Sequence, residues 1–187
     1  DAVRKLNLLQ PEFVMSVGDL IEGYTEDQAE LDAEWEEFNG FIAELEVPFF
    51  YLPGNHDISN EKMAADWRRR FGRPYYHFVY RDVLFLCLNT EGPPSSQVSQ
   101  EQIDYAAQVL AENKDVRWTL VFQHKPLWVY NNAPGWAEIE ALLNDRQHTV
   151  FAGHFHTYTK YERNNGKYFV LATTGGGSGL RGPIYGQ

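Results

Sequence analysis

The sequence predicts an α/β fold (α+β in some schemes): stacked β-sheets covered by helices. Three observations point there. Apolar stripes at helical period alternate with short apolar runs along the chain. Helical segments separate several of these runs, which is the pattern of parallel strands. The last two runs instead flank Asn164-Asn165-Gly166, a hairpin signal. Parallel and hairpin-linked strands in one chain call for mixed sheets with helices packed on them. The 187 residues fit one domain with a sizeable core, and a 43% hydrophobic content excludes a disordered chain.

The elements follow in order. Val3, Leu6 and Leu9 recur at helical spacing over 2–9, and Pro11 ends that segment. Phe13-Val14-Met15-Ser16-Val17 reads as a strand. Over 26–46, Leu31, Trp35, Phe38, Ile42 and Leu45 form one stripe of an amphipathic helix; the acidic residues between them form its solvated face. Strands are predicted at 47–52, 76–80 and 83–90. Ser99 and Gln102 make a capping-box pair for a helix over 100–113. A strand at 117–123, a helix at 136–144 and a strand at 148–152 come next, and then hairpin strands at 158–162 and 168–173. No internal repeat and no low-complexity linker interrupts the series.

The net charge of −10 argues against nucleic acid as the main partner, because phosphate-backbone contacts need a basic face. Attraction to a phosphorylated substrate would have to come from a few local charges, such as metal ions. No apolar stretch approaches the ~20 residues of a membrane span, and no signal peptide is visible. Neither oligomeric state nor compartment is assigned. Cys87, alone in an apolar run, reads as a small buried hydrophobe.

The unusual polar residues fall at strand ends. Strand 13–17 runs into Gly18-Asp19-Leu20-Ile21-Glu22, and strand 47–52 into Gly54-Asn55-His56-Asp57. Strand 117–123 runs into His124, and strand 148–152 into Gly153-His154-Phe155-His156. Ligands of α/β sheets bind beyond the carboxyl ends of strands, so parallel strands would gather these groups on one rim. Carboxylate, imidazole and amide oxygen suit Mn, Fe, Zn or Co. Any one of the four motifs alone has a bland reading, as a turn Asp or a hydrogen-bonded His. Four in order, each after a strand, do not. His77 and His148 take the bland reading, and Tyr24 reads as ordinary packing.

The ordered set resembles the calcineurin-like metallophosphoesterases, whose pattern is D-x-H, G-D-x-x-[DE], G-N-H-[DE], H and G-H-x-H. The match spans residues 13–156 and looks closest to the phosphodiesterase and purple-acid-phosphatase-like branch. The resemblance implies a four-layer αββα sandwich of two mixed β-sheets flanked by helices. It also implies hydrolysis of a small phosphorylated substrate, a phosphomonoester or phosphodiester, by a metal-bound hydroxide. Two divalent or trivalent transition-metal ions (Mn, Fe, Zn or Co) would serve as cofactors. Asp19 would bridge them; Asn55, His124 and His154 would complete one ion, and His156 would join Asp19 on the other. His56 would be the leaving-group acid or a phosphate-binding group, Asp57 its orienting partner, and Glu22 structural. Asn55 and His56 would also meet substrate.

The first motif has no counterpart, so the expectation is a single catalytic domain over 1–187 that lacks its first strand and possibly its C-terminal end. Within it, the Gly-rich segment 173–181 is a candidate phosphate cradle or a connector, with Arg181 as a substrate contact. The competing reading is a scaffold on the same fold that has lost activity. The presence of both His56 and Asp57 favours the enzyme. A single structural metal is disfavoured, since such sites use Cys and His in closed tetrahedra.

Overall fold

The computed structural model describes residues 2–92, 94–175 and 177. Two sheets stack face to face, with helices on both outer faces. The smaller sheet pairs β1 (Val14–Met15) with β2 (Phe49–Phe50) in parallel, Val14 opposite Phe49. The larger has six strands: β3 (Tyr76–Tyr80), β4 (Val83–Cys87), β5 (Trp118–Phe122), β6 (His148–Ala152), β7 (Thr159–Arg163) and β8 (Gly166–Val170). Their order is β3-β4-β5-β6-β8-β7, parallel from β4 through β8 and antiparallel at both edges. The four-layer sandwich is therefore present. Only the larger sheet is mixed among the described residues; the smaller is a parallel pair.

Aromatic rings fill the space between the sheets. Phe78 and Phe85 are cross-strand partners whose rings stack at 4.6 Å, and Phe50 of the small sheet stacks on Phe78 at 4.4 Å. Leu52, Cys87 and Phe122 complete this inner layer with Phe13, Met15 and Phe151 around them. Each such ring removes some 150–250 Å² from water, which makes this layer the main bond between the sheets. Burial also pushes the Cys87 thiol up to about 12, so it behaves as the inert hydrophobe expected.

The outer faces are covered separately. On the large sheet, α4 (Gln100–Glu112) and α5 (Trp136–Leu143) bury Val109, Leu110, Ile139 and Leu143 against Leu84, Leu86, Val121 and Val150. On the small sheet, α2 (Gln28–Ile42) places Leu31 and Trp35 against Met63, Ala64 and Trp67 of α3 (Glu61–Phe71). Asp27 caps α2 by accepting the Ala29 and Glu30 N–H groups, and Asn60 caps α3 through Met63 N. The helix α1 (Ala2–Leu9) buries no residue.

Three expectations change. Helix α3 has no counterpart in the sequence reading. The capping box is half made: the Ser99 hydroxyl accepts the Gln102 N–H, but the Gln102 amide turns to Asn89, where it accepts the N–H and donates to the carbonyl. The hairpin turn is Asn164-Asn165, both left-handed, with Gly166 already in β8. His77 and His148 carry the hydrogen bonds of structural residues, to Tyr105 and to Arg146 and Tyr168. No helix among the described residues is long and apolar enough to cross a membrane.

Candidate metal centre

The four strands that end in polar motifs point the same way. β1 and β2 are parallel, as are β5 and β6, so the segments after Met15, Phe50, Phe122 and Ala152 reach one rim. Backbone hydrogen bonds carry the pairing past the strands: Ser16 N–H donates to Phe50 O, and Gly153 N–H to His124 O. The segments after β1 and β2 then touch at their backbones. A Cβ at Gly18 would stand 2.6 Å from Gly54 N, and one at Gly54 only 2.2 Å from the Asp19 Oδ1. Only glycine fits at either position. Asp19, Tyr24, His154 and His156 all adopt left-handed φ, at 59°, 54°, 70° and 53°. Such backbone costs non-glycine residues on the order of 1 kcal/mol or more each and gathers at functional sites.

His124 stands at the centre, 1% exposed. Its Nδ1 lies 2.7 Å from the Val17 carbonyl, which can only accept, so Nδ1 carries the proton. In the neutral ring Nε2 therefore offers a lone pair. That lone pair meets Asn55 Oδ1 at 2.9 Å, His154 Nδ1 at 3.2 Å and Asp19 Oδ2 at 3.3 Å. Asn55 presents its oxygen there because its amide nitrogen donates to Tyr24 Oη at 2.5 Å. Nitrogen and oxygen atoms of ligand type thus converge on one point, where a cation could meet all four. The ligand atoms of Asp19, His124 and His154 lie within 4.8 Å of one another. The donor set fits a divalent cation with N and O ligands.

The electrostatics agree. Burial, the His124 ring and the Lys125 ammonium push His154 down to about 4, so near neutral pH its ring is uncharged, with one nitrogen an N–H and the other a lone pair. Burial opposes charge on His124, but the Asp19 carboxylate beside it wins and raises its pKa. Burial would likewise raise Asp19; the His124 ring and the His56 N–H reverse this and lower it. Asp19 and the His124 ring thus favour each other's charged forms, while His154 is held neutral.

The structure brings together Asp19, Asn55, His124 and His154. His156 is not in that cluster; its Nδ1 lies 2.6 Å from the Gly177 carbonyl. The His56 N–H donates to Asp19 Oδ1, and its ring Nδ1 donates to the Glu22 carbonyl at 2.6 Å. The orienting role expected of Asp57 thus falls to the Glu22 backbone. Asp57 is 1% exposed, and its carboxylate accepts four backbone N–H groups: Gly54, Asp19, Leu20 and Ile21, at 2.6, 2.9, 2.8 and 3.3 Å. Tyr24 is 60% exposed, joined to Asn55 and edge-on to the His56 ring at 4.8 Å, which is not ordinary packing. Arg181 and the end of the Gly-rich segment lie outside the described residues.

A nitrogen-and-oxygen metal site on the strand-end rim of an αββα sandwich defines a class of metalloprotein. The chain belongs to the calcineurin-like phosphoesterase family, which residues 1–158 match. It is 27% identical over 176 residues to a 3′,5′-cyclic adenosine monophosphate phosphodiesterase, CpdA, of Haemophilus influenzae, covering 87% of this chain and 60% of that protein. It is also 27% identical over 179 residues to the serine/threonine-protein phosphatase CPPED1 of Mus musculus, covering 83% and 56%. The chain thus spans between 38% and 61% of the length of the curated relatives it matches. A dimetal phosphatase of Danio rerio shares the fold, with a TM-score of 0.69 at 17% identity over 92% of this chain and 76% of that one.

Proposed function

We propose that the protein hydrolyses a small phosphate ester with the help of a transition-metal ion held by Asp19, Asn55, His124 and His154. One observation carries this reading: His124 Nε2 faces Asn55 Oδ1, His154 Nδ1 and Asp19 Oδ2 within 3.3 Å, with Nδ1 fixed as the donor to Val17. Family membership and the named activities of the relatives, a phosphodiesterase and a phosphatase, support the same chemistry. When bound, such an ion neutralises phosphoryl oxygen charge and lowers the pKa of bound water towards ~7.

The chain's own residues do the rest. Asp57 locks the Gly18–Ile21 turn onto the Gly54 turn, so that Asp19 and Asn55 stand together. Tyr24 fixes which face of the Asn55 amide points at the ion. The Glu22 carbonyl fixes His56 Nδ1 as an N–H, which leaves Nε2 as the atom that meets the leaving oxygen. In its imidazolium form His56 delivers the Nε2 proton there, a contribution typically worth ~10²–10⁴-fold. Asp19 and His156 would be among the ligands of the second ion that the family resemblance implies.

The test is release of p-nitrophenol from its phosphate mono- and diesters, with Mn, Fe, Zn or Co, on the full-length protein. Turnover with at least one metal is expected, and none with any metal would sink the reading. His56→Ala should slow poor leaving groups far more than good ones; an equal loss would remove the acid role. Elemental analysis of the purified protein should give two ions per chain.

A further inference from the structure

A groove of about 350 Å³ leads away from the candidate metal centre. Asn55 and His154 of that centre line it, together with Ser59, Asn60, Ser95 and Lys125. This is the size of a small-ligand site, with polar groups set in a largely apolar lining. The Lys125 side chain is 10% exposed and held firmly. Its ammonium pairs with Glu91 Oε2 at 2.7 Å and donates to Ser95 Oγ at 3.3 Å. The other Glu91 oxygen accepts from the Thr90 hydroxyl at 2.7 Å, and the Thr90 hydroxyl oxygen accepts the Lys125 backbone N–H at 3.0 Å. One oxygen of the buried Glu91 carboxylate thus holds the ammonium, and the other is tied through the Thr90 hydroxyl to the backbone of the same lysine.

An ammonium has three N–H donors. Two are spent on Glu91 and Ser95, and the third has no partner among the described residues. A donor that faces the groove gives up its water when a ligand enters, so it favours a ligand that supplies the acceptor. Glu91 also neutralises Lys125, so the groove offers no net positive charge to a second phosphate. What remains is a fixed, directional donor next to the reacting centre.

We propose that Lys125 is a substrate-positioning residue, and that the groove takes the alcohol part of a phosphate ester bearing a hydroxyl close to the ester oxygen. The third N–H of Lys125 donates to that hydroxyl oxygen. Polyol, sugar and nucleoside esters have this chemistry; simple alkyl esters do not. The inference rests on the phosphohydrolase reading above.

A matched pair of substrates tests it: glycerol 3-phosphate against n-propyl phosphate, as monoesters, or as their p-nitrophenyl diesters if only diesters are turned over. The wild type should favour the glycerol ester by roughly 10- to 100-fold in kcat/KM, the loss expected for one hydrogen bond to a charged group. In Lys125→Met the preference should fall towards unity, mainly through KM for the glycerol ester. Because Lys125→Met strands the Glu91 carboxylate, the Lys125→Met/Glu91→Gln double variant is measured beside it; it should lose the preference while retaining a cooperative melt. Equal use of both esters by the wild type, or a preference that survives in either variant, overturns the proposal. If p-nitrophenyl esters are not hydrolysed with any metal, the phosphohydrolase reading fails and this proposal with it. If they are hydrolysed but no preference is seen, only the role of Lys125 fails.

Discussion

The Asp57 carboxylate accepts the backbone N–H of Asp19, Oδ2 to N 2.9 Å, across 38 residues of sequence. The same group takes Leu20 and Ile21 from the first loop and Gly54 from its own. Asp57 is therefore the clamp that holds the Asp19 loop against the Asn55 loop, and the position of the metal ligands depends on it. In Asp57→Asn one of the two acceptor oxygens becomes an NH₂ that faces backbone N–H donors. The expected loss is about 1–3 kcal/mol of stability, the cost of leaving buried N–H donors without an acceptor. Urea unfolding of the two proteins measures it; a change within 0.5 kcal/mol, the usual range of surface substitutions, would rule out the clamp.

Tyr24 acts on the metal site through Asn55. Its hydroxyl oxygen accepts from the Asn55 amide nitrogen and so turns the amide oxygen towards His124. Tyr24→Phe keeps the ring beside His56 and removes only that acceptor. Groups that orient a ligand typically contribute 10- to 100-fold to metal affinity. Titration calorimetry with Zn or Mn should show Tyr24→Phe weakened by about tenfold, and Asn55→Ala by more. Equal affinity in Tyr24→Phe and wild type would make the hydrogen bond incidental.

Local signals carried most of the fold and the ligand types. Strands β3 and β6 stand where the apolar runs 76–80 and 148–152 put them; β1, β2, β4 and β5 are trimmed at their ends, β7 is shifted one residue later, and β8 starts two residues earlier and ends three earlier than expected. Helix α3 was legible but unread: Met63, Ala64, Trp67 and Phe71 lie at helical spacing between an Asn cap and a Gly stop, with three arginines diluting the stripe. The sequence order of Asp19, Asn55, His124 and His154 was enough to gather them, because strand ends of parallel sheets share a rim. The parts that were not legible come from tertiary contact. The donors to Asp57 lie up to 38 residues away, Tyr24 meets Asn55 across 31, and Lys125 meets Ser95 across 30. No spacing rule reaches that far, so Asp57 was assigned to its sequence neighbour His56 and Tyr24 to packing.

A cluster remote from the metal centre supplies a pH dependence. Burial alone would raise the Asp66 carboxyl, but hydrogen bonds from Arg70, Arg69 and Gln28 outweigh it and hold the pKa below the ordinary value. A carboxyl depressed in the folded state stabilises fully above its unfolded pKa of about 3.9, and that contribution disappears as pH falls through the lower folded value. With Arg69 largely exposed, the contribution is about 1 kcal/mol. Urea unfolding of Asp66→Asn should therefore show a deficit of that order at pH 7 that closes between about pH 4 and pH 2. A deficit independent of pH would mean that the side chain acts through packing instead of charge.

Gly54 tests how closely the two loops must approach. Its φ is not in the left-handed region, so Ala meets no backbone objection there. The conflict is spatial: the added methyl would stand 2.2 Å from Asp19 Oδ1 and 2.4 Å from Asp19 N. Heavy atoms do not approach so closely, so either the Asp19 carboxylate swings away from His124 or the Asp57 clamp opens. Both routes damage the metal site before they damage the core, because the atoms nearest this methyl all belong to Asp19. Gly54→Ala is expected to lower metal affinity by about 100-fold, beyond the effect of losing one orienting contact. The melt without metal should fall by only a few degrees, which corresponds to about 1 kcal/mol in a domain of this size. Metal affinity unchanged by Gly54→Ala would show that the loops can part without disturbing Asp19, and that their contact does not set the site.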